Sequence, residues 1–169
     1  MGAARVATVC LVAVFAVPSR PYVIRGDRAV GPIRIARTTT SQAIVALRGV
    51  AHRAARNGTS CRVTWPGLAL TVDFALIGTD PRDPCAAGAA VVATAASRGA
   101  WRTAVGLRVG DTVARVRFLY PHARRHGSGY WLVPRRACAE VGGFAYPGLL
   151  ARTQHGRVTA LVSSTAICD

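Results

Sequence analysis

His122 and His126 stand four residues apart, the spacing at which two imidazoles on one helix face can share a metal ion. Their neighbours argue against it. Pro121 precedes the pair, Arg124 and Arg125 lie between the two histidines, and no third ligand is close in sequence. Fixed positive charge beside the ligands opposes a cation. The segment therefore reads as an exposed basic loop, and no metal site is expected. His52 and His155 are isolated, and His155 falls in a Gln154-His155-Gly156 turn where water solvates it. Little else in the chain can do catalysis. It has 7 acidic residues, none of them paired on a predicted helix, and it lacks the G-x-S-x-G nucleophile elbow. The expectation is no enzyme, no cofactor and no small-molecule substrate.

The cysteines are the next candidates. Cys10 sits inside an apolar run, Val6 to Val17, that follows Arg5 and ends at Pro18 and Ser19. A run of 12 residues is short for a span, which takes about 20 apolar residues, and suits a secretory signal. Residues 1–20 are expected to be a signal peptide or an N-terminal anchor. Cys10 does not fit a lipid-attachment site, because Val9 precedes it where a small residue is wanted. Cys61, Cys85, Cys138 and Cys168 remain. No C-x-x-C pair occurs, and zinc sites want close ligand pairs. An even count in an exported chain reads as disulfides, here Cys61 with Cys85 and Cys138 with Cys168. Such bridges also withdraw the thiols as nucleophiles. The expected location is secreted or cell envelope.

The charge is one-sided: 22 basic residues against 7 acidic, a formal net charge of +15. Every basic residue is Arg and none is Lys. With so much Ala, Gly and Val, an all-Arg set reads as the coding bias of a GC-rich bacterial genome rather than as selection for a phosphate clamp. The charge still predicts attraction to anionic surfaces and salt-dependent association. Nucleic acid is not an expected partner of an exported protein.

The elements that must position these residues follow from periodicity. Val113, Val116 and Tyr120 recur at helical spacing, Asp111 or Thr112 can cap that helix, and Pro121 ends it. Ala43, Leu47 and Val50 suggest an earlier helix, capped within Thr38 to Ser41, running to about Arg56 and stopped by Asn57-Gly58. After it, Cys61 to Trp65, a Pro66-Gly67 turn and Leu68 to Phe74 form an alternating hairpin, with Val91 to Ala95 as a third strand. After the second helix come Tyr130 to Val133, Leu149 to Thr153, and Arg157 to Val162. Ile33-Arg34-Ile35-Ala36-Arg37-Thr38 also aligns on Leu107-Arg108-Val109-Gly110-Asp111-Thr112 at a constant offset of 74 residues. The expected fold class is α+β. It comprises a linker at 21–30 and two tandem units, 31–98 and 99–169, each a helix packed on about three antiparallel strands with one disulfide per unit.

In Gly106 to Leu119, and in organisation from residue 31 to 168, the chain resembles the tandem-repeat β-lactamase inhibitor proteins. The single-copy unit of that scaffold occurs in outer-membrane assembly lipoproteins of the SmpA/OmlA type. Where that pattern has Gly before the Thr, the second copy has Gly110-Asp111 and the first departs with Ala36-Arg37. The resemblance implies a shared scaffold and makes a protein partner the first choice, an enzyme to be inhibited being one kind.

Residues for such a partner are sought where apolar side chains break the pattern. Tyr130-Trp131-Leu132-Val133 does not alternate as a strand with one wet face should. Phe118 points away from the Val113, Val116 and Tyr120 stripe, and Phe144 and Tyr146 lie in a Gly-Pro-rich loop. Arg124, Arg125, Arg135 and Arg136 flank Tyr130-Trp131. Aromatics and Arg anchor protein interfaces. The expected function is non-catalytic binding of a protein through the sheet face and loops of the second unit. The alternative is an envelope-associated module that holds anionic polymers or lipids on these arginines.

Overall fold

The computed structural model describes residues 22–76, 83–86, 90–136 and 145–166. In chain order the elements begin with β1 (Val23–Arg25), β2 (Ala29–Val30), β3 (Ile33–Arg34), α1 (Thr40–Ala46), β4 (Arg53–Asn57), β5 (Ser60–Trp65), β6 (Leu70–Ala75) and β7 (Val91–Ser97). They continue with β8 (Arg102–Thr103), α2 (Val113–Leu119), β9 (Arg124–His126), β10 (Gly129–Val133), β11 (Gly148–Gln154) and β12 (Arg157–Ser164). A single 3-10 turn, Pro66–Leu68, joins β5 to β6. The strands form a small sheet ordered β3-β2-β1-β8 and a large one ordered β4-β5-β6-β7-β12-β11-β10-β9.

This overturns the expected α+β pair of units, each a helix on about three strands. Among the described residues strand far outweighs helix, 46% against 13%. Four strands from each side of β8 merge into one eight-stranded sheet. The cause is the pairing at its centre: Leu161, Val162, Ser163 and Ser164 of β12 lie opposite Ser97, Ala96, Ala95 and Thr94 of β7. Each strand completes the other's backbone hydrogen bonds, so neither half closes on itself. Residues 22–30, expected to be linker, contribute β1 and β2, and β1 pairs in parallel with β8.

The first helix is also shorter than its apolar spacing suggests. It ends at Ala46, and Gly49 (φ 86°) turns the chain out of the helical path. Arg53 to Arg56, expected to be helix, belong to strand β4 (Arg53–Asn57), with all five residues exposed. Asn57-Gly58 is therefore not a helix stop. It opens the β4–β5 hairpin, in which Asn57 lies opposite Ser60 and the Ser60 hydroxyl donates to the Asn57 carbonyl at 2.8 Å. Gly58, at φ 59°, supplies the backbone conformation such turns require. The basic loop expected around His122 to His126 likewise holds a strand, β9, on the other edge of the sheet. Both edges thus carry arginines, Arg53 and Arg56 on one and Arg124 and Arg125 on the other. Charge at an exposed edge discourages pairing with a further chain.

Elsewhere the residue pattern and the elements agree. Leu70, Val72 and Phe74 of β6 are buried and face Trp65, Val63 and Cys61 of β5. Thr39 caps α1 in a capping box with Gln42, and Thr112 caps α2 by accepting from the Arg115 N–H at 3.2 Å. Each such cap contributes about 1 kcal/mol. Asp111 is not a cap; its carboxylate accepts from the Arg108 N–H at 2.8 Å. The buried face of the large sheet shares one apolar core with Ala43 and Leu47 of α1, Val116 of α2, and Ile24, Val30 and Ile33 of the small sheet. Burial pushes the Tyr120 hydroxyl above its ordinary value, while a hydrogen bond with Thr103 acts the other way. Cys61 and Cys85 are bridged, with Cα atoms 5.0 Å apart. The bridge fits an oxidising, extracytoplasmic compartment. Cys138, Cys168 and the N-terminal segment 1–20 lie outside the described residues.

Candidate functional site

The helices and the small sheet cover one face of the large sheet. The other face can be followed residue by residue, because directly opposite residues on paired strands point to the same side. One row crosses all eight strands: Arg53, Thr64, Thr71, Ala96, Val162, Leu150, Trp131 and Arg124. Val162 is buried yet lies outside the central apolar core, as expected for a residue on the far side of the sheet. Thr64, Thr71, Ala96, Leu150 and Trp131 are half-buried, and the arginines at both ends are exposed. The row therefore has a small, aliphatic and aromatic middle and cationic ends. The neighbouring row carries Arg62 opposite Asp73. Arg62 donates through Nε at 2.7 Å and through a terminal nitrogen at 3.1 Å, and the carboxylate raises the guanidinium's affinity for its proton. An exposed pair of this kind adds little stability. Its fork geometry does fix where two charges sit on the open face.

Trp131 is the largest side chain in this row. Its ring leans over Gly148, where a Cβ would come within 2.8 Å of the indole and 2.7 Å of the Arg135 backbone nitrogen. Only glycine leaves room for that approach. His126 lies at the edge of the same group, its ring 5.6 Å from Trp131. Arg124, Trp131 and the backbone at Arg135 are thus brought together, and Arg135 and Arg136 are exposed where β10 ends.

The other residues singled out from sequence are dispersed. Tyr130 points to the opposite face, is 9% exposed, and accepts a long hydrogen bond from Arg117 at 3.4 Å. It packs in the core and has little surface to offer a partner. This explains the missing alternation in β10: Tyr130 and Trp131 serve different faces, and both faces are apolar. Phe118 is 75% exposed on α2, on the helix-covered side, with the Arg115 guanidinium 5.3 Å from its ring. Arg125 lies opposite Tyr130 and borders a hollow of about 330 Å³ between the β9–β10 and β11–β12 turns. Phe144 lies outside the described residues.

Two features are absent from the expectations drawn from sequence. One is Leu150, half-buried on the open face beside the buried Val162. The doublets Leu149-Leu150 and Leu161-Val162 carried the signal, since adjacent aliphatics on a strand must serve both faces. The other is a cavity of about 520 Å³ bordered by Arg28, Arg34, Arg37 and Tyr146. Among the described residues no three of His, Cys, Asp and Glu gather in one place, and no helix is long and apolar enough to cross a membrane. Comparison with protein-family models, with characterised proteins and with solved structures finds no match to this chain.

Proposed function

We propose that the chain is an exported, non-catalytic binding protein that takes a protein partner on the open face of its large sheet. The observation that carries this reading is the row from Arg53 to Arg124, with Ala96, Leu150 and Trp131 offering apolar surface between cationic ends, on the side of the sheet away from the core. Protein interfaces have this anatomy, an apolar centre within a polar rim. The complementary partner presents an apolar patch flanked by carboxylates. The likeness of Gly106 to Leu119 to the tandem-repeat inhibitors makes a secreted or envelope enzyme the first candidate. The alternative, an anionic polymer or lipid, rests on the exposure of Arg124, Arg135 and Arg136 near Trp131, with Arg125 exposed on the other side of the same edge strand.

The test is affinity capture from the secreted and envelope fractions of the source cells, using the oxidised wild-type chain and three variants. A partner held through this face is retained at about 0.5 M salt, where screening has removed long-range attraction. It is weakened on the order of 30-fold or more by Trp131→Ala and by Leu150→Glu, because central aromatic and aliphatic contacts dominate interface energies. Phe118→Ala, on the other side, leaves it unchanged. Retention unaffected by Trp131→Ala and Leu150→Glu would remove the sheet face from consideration. Capture of salt-labile anionic material alone would establish the alternative.

A further inference from the structure

The cavity beside the small sheet has chemistry of its own. Three of its bordering residues are exposed arginines, Arg28, Arg34 and Arg37, and a fourth is the half-exposed Tyr146. No carboxylate borders it among the described residues. Asp27 reaches Arg28 only at 3.9 Å, and the described residues give Arg34 and Arg37 no ion pair. Three arginines around one hollow make its surroundings attractive to an anion. Arginines are spread over the whole chain, so what sets this hollow apart is how it is built.

Both walls are tied to the central strands of the large sheet. On one side the turn carrying Arg34 and Arg37 closes on itself, with the Thr38 N–H donating to the Arg34 carbonyl at 2.9 Å. It then docks on β7: the Ala36 N–H donates to the Val92 carbonyl at 2.8 Å, and the Val92 N–H to the Thr38 carbonyl at 3.1 Å. Ala36 holds φ 58°, a conformation unfavourable for a residue with a Cβ, so the surrounding hydrogen bonds over-determine this turn. On the other side Ala145, next to Tyr146, donates to the Ala166 carbonyl at 2.9 Å and accepts from the Thr165 hydroxyl, just beyond β12. Because β7 and β12 are paired, the two walls are held at a fixed separation. The cationic groups start from a preorganised backbone, which lowers the ordering cost of binding.

We propose that this cavity binds the phosphoryl group of a phosphate ester. Guanidiniums match phosphate oxygens with paired donors, and a dianionic phosphomonoester uses three of them where a lone carboxylate would use one. The phenol of Tyr146 adds a further donor. Ile35 and Pro147 give the hollow apolar walls, so the organic body of the ester rests there and against the tyrosine ring. The site is separate from the open sheet face and stands or falls without it.

Calorimetric titration of the oxidised full chain at about 150 mM salt tests this. The probes are inorganic phosphate, phenyl phosphate, and vesicles of phosphatidylcholine with and without phosphatidic acid. Phenyl phosphate is expected to saturate one site per chain and to bind more tightly than inorganic phosphate. Arg34→Gln/Arg37→Gln weakens it by about tenfold or more, as loss of charge-assisted hydrogen bonds does. Arg28→Gln and Tyr146→Phe weaken it by smaller factors. Arg48→Gln/Arg98→Gln, which removes the same charge at exposed positions that border neither the cavity nor the sheet row, changes it by less than about threefold. Vesicle binding that needs phosphatidic acid and is lost in the Arg34/Arg37 variant identifies a lipid headgroup as the source. Phenyl phosphate binding without such vesicle binding identifies a free ester. No saturation by about 10 mM probe, or equal losses in the two double variants, overturns the proposal.

Discussion

Trp101→Ala lowers the free energy of unfolding by about 4 kcal/mol, among the largest effects expected of a single truncation to alanine. Trp101 is fully buried. Its indole N–H donates to the Leu68 carbonyl at 2.7 Å, its ring stacks on Tyr22 with centroids 4.8 Å apart, and its outer edge lies where a Cβ on Gly31 would come within 3.3 Å. One side chain therefore joins the N-terminal strands of the small sheet to the turn between β5 and β6. Truncation leaves a cavity and also an unpartnered carbonyl at Leu68, and these penalties have different origins. Trp101→Phe keeps most of the volume and loses the hydrogen bond, so it should cost about 1–3 kcal/mol. Denaturant unfolding of the two variants with unchanged m values measures both. Losses below about 1 kcal/mol for the alanine variant would mean that the two sheets do not depend on this contact.

Cys61→Ala/Cys85→Ala is expected to cost about 3 kcal/mol, the loop-closure entropy returned to the unfolded chain when a bridge of this separation is removed. The bridge spans 24 residues. Cys61 is fully buried on β5, while Cys85 sits in a short stretch held over the start of α1. There the Thr40 hydroxyl donates to the Pro84 carbonyl at 3.2 Å, and the Asp83 carboxylate accepts from the Cys85 N–H at 3.0 Å. Removing the bridge therefore releases the connection between β6 and β7 as well as the unfolded chain. For a domain of this size the loss corresponds to a fall in Tm of about 6–12 °C. Reduction of the wild-type chain lowers Tm in the same direction, since it also reopens the loop. Equal Tm values for the oxidised chain and the double variant would show that the bridge contributes nothing to stability.

What could be read in advance was local. Leu70, Val72 and Phe74 announce their strand because the alternation is set by the pleat, and Thr112 announces a cap because its hydroxyl meets an orphan N–H within three residues. The partner of Cys61 was legible for a similar reason, since both cysteines lie within one stretch of chain. The failures share a different cause. Arg53–Asn57 has no apolar face to betray it, because an edge strand exposed on both sides needs only the backbone of β5. The merging of the strands into one sheet depends on β7 meeting β12, and nothing within either strand states which partner it will take. The site divides in the same way. Trp131 stood out by its composition, but its separation from Tyr130 onto the opposite face depends on register. Tyr146 was singled out without its companions. Arg28, Arg34 and Arg37 are more than a hundred residues away in sequence and meet it only because the strands beneath them are paired.

The central β7–β12 pairing also governs how the chain can change in length. Every other pairing in the large sheet joins strands that are consecutive in the chain, whereas Ser97 and Leu161 meet across the whole of β8 to β11. Closing so long a loop costs little more when it grows, about 0.6 kcal/mol for each doubling. Val105, exposed in the turn after β8, lies within that loop. Extra residues accepted there would leave the central strands in register and both faces of the sheet intact. The same scaffold can therefore acquire new loops, and with them new specificities, without having to re-form its core.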